Sequence, residues 1–164
     1  MRKPNRLTAI LAASLGLGAA ALLSPDARAQ DGSAQATYRD IEQTLGLVPG
    51  FFKALPETAV SGAWAEFKSI QLNPKTRLDA KTKELMGLAV AAQIPCQYCI
   101  AFHTAAAKAN GATDEEVREA VAVAALVRHW STVLNGMQID LATFKQEVDD
   151  VMRMAAEKEN KASK

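Results

Sequence analysis

Cysteine and histidine are scarce in this chain, two of each in 164 residues. Two cysteines three positions apart cannot make a disulfide scaffold, and a domain of this length can bury a core without one. They also suit zinc poorly, because a structural site takes four ligands. Cys96, Cys99 and His103 crowd the start of one helix, with only His129 or a carboxylate left to add. An excess of charge of one sign is lacking too: Lys and Arg total 19 against 18 Asp and Glu. That balance carries no nucleic-acid footprint. Sustained alternation of apolar and polar residues is absent, so strands are not expected. There is no internal repeat.

What is present begins with a targeting pattern. MRKPNR is basic, Leu7 to Leu23 is apolar or small without a charge, and Ala27-Arg28-Ala29 offers an A-x-A cleavage site. A signal peptide over residues 1–29 and a domain over 30–164 are expected. The rival is a retained anchor, since Leu7 to Leu23 sits at the lower limit of a membrane span. Neither a twin arginine nor a cysteine near the cleavage site accompanies it. Cleavage after Ala29 removes four basic residues and one acid, leaving 135 residues with 15 basic and 17 acidic. Such a protein is expected outside the inner membrane, in the periplasm, with no stable membrane association.

The mature part is rich in Ala, Leu, Glu and Lys and reads as all-α. Gln30 to Gln35 is expected to be a loose polar leader and Thr37 to Leu45 a short helix. Val48-Pro49-Gly50 marks a turn before FFKAL, and a helix over Glu57 to Leu72 ends at Asn73-Pro74. Asp79 is an N-cap for Ala80 to Gln93. Pro95 is expected to stop that helix and stand in the first turn of the next, Cys96 to Ala109, which Asn110-Gly111 closes. Thr113 with Glu116 forms a capping box for a helix to about Leu134. A last helix covers Ile139 to Glu157, and ENKASK is expected to fray.

The stretch ELMGLAVAAQIPCQYCIAFH, Glu84 to His103, carries the chemistry. Cys96 and Cys99 are i,i+3, and Cys99 and His103 are i,i+4, so the three share a helix face. Both sulfurs lie at a helix N-terminus, where free N–H groups and the dipole favour a thiolate. A thiol, a neighbouring base and a group orienting the base make an activated nucleophile. Glu84 is the candidate third group, either buried against His103 or solvated beside Lys81 and Lys83. A bridge closing so small a loop contributes little to stability, so reversible dithiol chemistry is favoured over a structural disulfide. Which sulfur attacks is contested. Thioredoxin-type C-x-x-C sites use the first cysteine, whereas only Cys99 lies within one turn of the His103 base.

E-x(11)-C-x(2)-C-x(3)-H resembles the active-site pattern of the alkylhydroperoxidase D-like group within the carboxymuconolactone decarboxylase superfamily. The likeness extends over about 50 residues, LDAKTKELMGLAVAAQIPCQYCIAFHTAAAKANGATDEEVREAVAVAA. It implies an all-α bundle in which the Glu84 helix and the cysteine helix pair antiparallel. It further implies a thiol-dependent peroxidase in which Cys99 attacks a small hydroperoxide, Cys96 resolves, and Glu84 with His103 relays protons. The rival is a protein dithiol-disulfide oxidoreductase indifferent to peroxide. No metal or organic cofactor is implied. The partners implied are an unidentified thiol reductant and further copies of the chain, as trimers or hexamers. The group's prototype has a histidine between the cysteines where this chain has Tyr98, which is expected to pack, the alternative being a hydrogen bond in that histidine's place. Decarboxylation of the lactone is not implied, since those enzymes lack the cysteine pair. His129 reads as a packed or surface histidine, and Trp64, Phe67 and Trp130 as core or interface.

Overall fold

The computed structural model describes residues 25–162, with their side chains from residue 34 onward. The expected cleavable or anchoring segment lies mostly outside the described residues. These form seven helices and no strand: α1 Pro25–Leu45, α2 Gly50–Lys53, α3 Glu57–Ile70, α4 Ala80–Gln93, α5 Gln97–Ala109, α6 Asp114–Gly136 and α7 Leu141–Ala162. None of the described helices is long and apolar enough to cross a membrane.

The chain divides into two compact units, Met1–Glu66 and Phe67–Lys164. In the first, Ile41 of α1, Phe52 of α2 and Val60 and Trp64 of α3 are buried. The Phe52 and Trp64 rings meet edge to face at 5.5 Å, an arrangement the ring quadrupoles favour. Trp64 Nε1 donates to Asp40 Oδ2 at 2.8 Å, which satisfies the buried indole.

The second unit is built around α4, which packs on both α5 and α6. Its core is Leu88 and Ala91 of α4, Ala107 of α5 and Ala124 of α6. Three alanines among four core residues bring the helix backbones close together. Polar clips close both ends of the α4–α6 contact. Lys81 Nζ meets Glu116 Oε1 at 2.7 Å. At the other end Gln93 donates to the Ala124 carbonyl and accepts from Arg128 Nε at 2.6 Å.

Helix starts follow local chemistry. Thr113 and Glu116 form the expected capping box, with Glu116 N to Thr113 Oγ1 at 3.1 Å and Thr113 N to Glu116 Oε2 at 2.7 Å. The Lys81 ammonium, then the Thr113 N–H, hold the Glu116 carboxyl below its ordinary value. Gly111 follows α5 with φ 86°, the left-handed turn that glycine accepts without strain.

Some boundaries differ from expectation. α1 begins at Pro25, so residues 30–35 are helical and the A-x-A site falls inside the helix of the full chain. Good helix formers flank it, Ala27, Arg28 and Ala29 before it and Ala34 and Gln35 at its end, and polarity alone does not make a leader. Pro95 stands in the turn before α5, because Cys96 takes the N-cap position. α7 starts after Asp140, whose Oδ1 accepts from Thr143 N at 2.8 Å. It continues through Glu159, Asn160 and Lys161, part of the expected frayed tail. Arg153, paired with Asp150 and Glu157, supports that helix from within. Trp130 is 51% exposed and is not core in the single chain.

Candidate functional site

Asp79 fixes the register of α4. Its Oδ1 accepts from Thr82 N at 2.7 Å, and that bond holds its carboxyl below the usual range. The turn that follows points Lys83, Glu84 and Leu88 inward, where all three are buried.

Glu84 is 4% exposed, which resolves its two readings in favour of burial. A buried carboxylate is costly unless its oxygens are satisfied. Both are. Oε2 lies 2.7 Å from His103 Nδ1, and Oε1 accepts from Gln71 Nε2 at 2.6 Å. Gln71 is in turn held by its loop. Lys83, also buried, directs its ammonium to Ile70 O at 2.8 Å, Asn73 O at 3.1 Å and Thr76 Oγ1 at 3.0 Å. All three donors of Lys83 are used, and they tie the α3–α4 connection across the start of α4.

His103 reaches Glu84 because nothing stands between α4 and its ring. A Cβ built on Gly87 would lie 2.5 Å from His103 Cε1. Gly87 is therefore what lets the imidazole lie against the α4 backbone. Its Phe102 neighbour stacks edge-on with Phe67 at 6.2 Å. With Nδ1 on Glu84, His103 Nε2 makes no hydrogen bond among the described residues.

Cys96 and Cys99 are joined as a disulfide, with Cα atoms 5.3 Å apart. Cys96 is the N-cap of α5 rather than a member of its first turn, and its sulfur accepts from Cys99 N at 3.2 Å. The expected shared face therefore holds for Cys99 and His103, while Cys96 sits at the helix mouth. Contacts from Cys96 to Ala91 and from His103 to Gly87 run in opposite directions along the two helices, so α4 and α5 are antiparallel. Cys99 and His103 line one cavity of about 580 Å³, open on one side.

Three of the four proposed site residues, Glu84, His103 and Cys99, are thus linked through a dyad and a common cavity, and Cys96 joins them covalently. With the sulfurs paired, the nearby donors are one carboxylate and one imidazole. Among the described residues no three His, Cys, Asp or Glu side chains are grouped to hold a metal ion. Tyr98 does not pack as expected: it is 90% exposed, because its position in the first turn of α5 faces away from α4. His129 is exposed on α6, edge-on to Trp130 at 5.4 Å.

Gln71, Lys83 and Gly87 were not read from the sequence. Gln71 and Lys83 reach their partners across the α3–α4 connection, which periodicity does not report. Gly87 carried a signal, since a lone glycine inside a helix pattern points to a close approach. Replacing Gln71 by leucine leaves Glu84 Oε1 buried without its donor. It is expected to cost about 1–3 kcal/mol of folding stability, measured by urea unfolding, while Gln71→Asn at the same site retains part of it.

The carboxymuconolactone decarboxylase family matches residues 58–140 of the chain. A Paracoccus denitrificans protein known as uncharacterized protein 4 in the cox locus is 36% identical over 85 residues, 49% of this chain and 77% of that protein. The crystal structure of the alkylhydroperoxidase AhpD core from Rhodospirillum rubrum superposes with a TM-score of 0.60 at 28% identity, covering 77% of this chain and 95% of that one. The matched span contains the whole α4–α5–α6 unit and its Glu84, Cys96, Cys99 and His103, and the chain belongs to the carboxymuconolactone decarboxylase family, with the all-α fold of the AhpD core.

Proposed function

We propose that the protein is a thiol-dependent peroxidase. The observation that carries this reading is the Glu84–His103 dyad, whose imidazole shares a cavity with Cys99, one sulfur of a closable pair. In the reduced protein, His103 accepts the Cys99 proton through Nε2 while Glu84 holds Nδ1. The thiolate attacks one oxygen of a hydroperoxide, the O–O bond breaks, and the alcohol leaves with the proton from His103. Cys99 becomes a sulfenic acid. The Cys96 thiol attacks it, water leaves, and the disulfide forms. An external thiol reductant returns the pair to dithiol. The α5 N-terminus favours the thiolate at the outset. Likeness to an alkylhydroperoxidase core supports the reaction class.

The test is peroxide consumption driven by dithiothreitol, followed by loss of hydroperoxide over time. Multiple turnovers are expected from the wild type and none from Cys99→Ser. Oxidation of peptide dithiols without peroxide loss would transfer the assignment to a dithiol-disulfide oxidoreductase, the reading that the exposed Tyr98 between the cysteines favours.

Export and self-assembly belong to the same proposal. The basic start, apolar run and A-x-A site support cleavage after Ala29 and a periplasmic location. Exposed Val123, Val127 and Trp130 on α6 support a complex of three or six copies. Native mass spectrometry of the protein recovered from its host is expected to give chains beginning at Gln30 in such a complex. A monomer that retains residues 1–29 would reject both.

A further inference from the structure

The cavity beside Cys99 is far larger than the reaction requires. A water occupies about 30 Å³ and hydrogen peroxide little more, yet the cavity measures about 580 Å³, within the range of sites for whole organic ligands. It is a groove along one side of α4. Leu78, Met86, Val90 and Ile94 give it an apolar wall, and all four are exposed in it. Met86, Val90 and Ile94 are spaced i,i+4, so they form one continuous stripe.

The charge of the groove is one-sided. Lys83 and Arg77 line it, and no Asp or Glu does, because Glu84 is turned inward to Gln71 and His103. The two cations differ. Lys83 is buried, with its donors on Ile70, Asn73 and Thr76. Arg77 is exposed and makes no hydrogen bond or ion pair among the described residues. Five guanidinium donors are therefore available at the groove wall.

The placement of that cation sets a length. Arg77 precedes the first turn of α4. Cys99 lies one turn before His103 on the antiparallel α5, and His103 rests on Gly87, so Cys99 is level with about Ala91. From Ala80, where α4 begins three residues after Arg77, to Ala91 the helix rises roughly 16 Å. An apolar stripe separates a free guanidinium at one end from the reactive sulfur at the other.

We propose that the groove binds an amphipathic monocarboxylate, with its carboxylate on Arg77 and its chain along Met86, Val90 and Ile94, so that a hydroperoxide carried partway down the chain meets Cys99. The substrate class is then a peroxidised fatty acid. That last step rests on the peroxidase reading, whereas carboxylate binding does not.

The test separates the two. Isothermal titration of the full chain with dodecanoate and with dodecanol, neither of which can be reduced, measures the groove alone. Dodecanoate is expected to bind roughly tenfold more tightly, the value of one charge-assisted contact. Arg77→Gln is expected to erase that difference, while Lys75→Gln, a neighbouring cation outside the groove, keeps it. Equal affinities in the wild type, or equal losses in both variants, would overturn the proposal. So would absence of binding in a protein associated through α4, which would give the stripe to a second copy. Turnover then follows with hydroperoxy-octadecadienoic acid and its methyl ester. A lower KM for the acid is expected, and equal KM values would overturn the substrate assignment. Dodecanoate binding without any peroxide loss would sink the peroxidase reading and leave the carboxylate site standing.

Discussion

Cys99→Ser is expected to form no sulfenic acid and to reduce peroxide no faster than buffer, whereas Cys96→Ser is expected to accumulate one sulfenic acid on Cys99 without turning over. The opposite assignment has a physical case. Cys96 is the N-cap, the position where the helix dipole acts most strongly on a thiol. Geometry weighs against it. Cys99 lines the cavity together with His103, and Cys96 does not. A base must come within about 3 Å of the proton it takes, and His103 is one helical turn from Cys99, roughly 6 Å along the axis. For Cys96 the axial distance is roughly 10 Å. Cys96 is instead suited to resolve, since its sulfur already bonds the Cys99 sulfur and accepts the Cys99 N–H. Dimedone labelling followed by intact mass gives the answer. Labelling of Cys96 in Cys99→Ser as rapid as that of Cys99 in Cys96→Ser would reverse the roles.

Gly87→Ala is the second large effect expected, from a single methyl group. The added Cβ meets His103 at Cε1 2.5 Å, Nδ1 2.6 Å and Nε2 2.8 Å, distances no packed ring tolerates. The helix backbone cannot yield without disrupting the Leu88 and Ala91 contacts, so the imidazole must move. It then leaves Glu84 Oε2 without its partner. Overpacking of this kind costs about 1–3 kcal/mol, and loss of a positioned base about 10²–10⁴ in rate. Gly62→Ala is the internal control: Gly62 is also mid-helix, nothing lies within 4 Å of its Cβ position, and helix propensity favours alanine there by about 1 kcal/mol. The expected result is a slower, less stable Gly87→Ala and an equally active, slightly more stable Gly62→Ala. Stopped-flow peroxide kinetics and urea unfolding measure both. Full activity in Gly87→Ala would show that His103 need not rest on α4.

What the sequence by itself determined was local. Helix identity follows from composition and from caps written within four residues, as at Asp79, Thr113 and Gly111, and these stood where expected. The spacing of Glu84, Cys96, Cys99 and His103 also identified the four residues that the fold brings together. Boundaries set by weaker signals moved, because Ala-, Gln- and Lys-rich segments continue a helix whether or not they look like a leader or a tail. The orientation of Glu84 was open, since Lys81 and Lys83 precede it on α4 and apolar Leu85, Met86 and Leu88 follow it. Only the tertiary structure decided it, by laying α5 along α4 at Gly87 so that His103 reaches one carboxylate oxygen, while the α3–α4 connection brings Gln71 to the other. The same packing buried Lys83 under the α3–α4 loop and left Arg77 free at the end of an apolar groove. Periodicity ranks faces of one helix, but a buried charge is tolerated only where distant residues supply its partners, and those partners are chosen by how the helices cross.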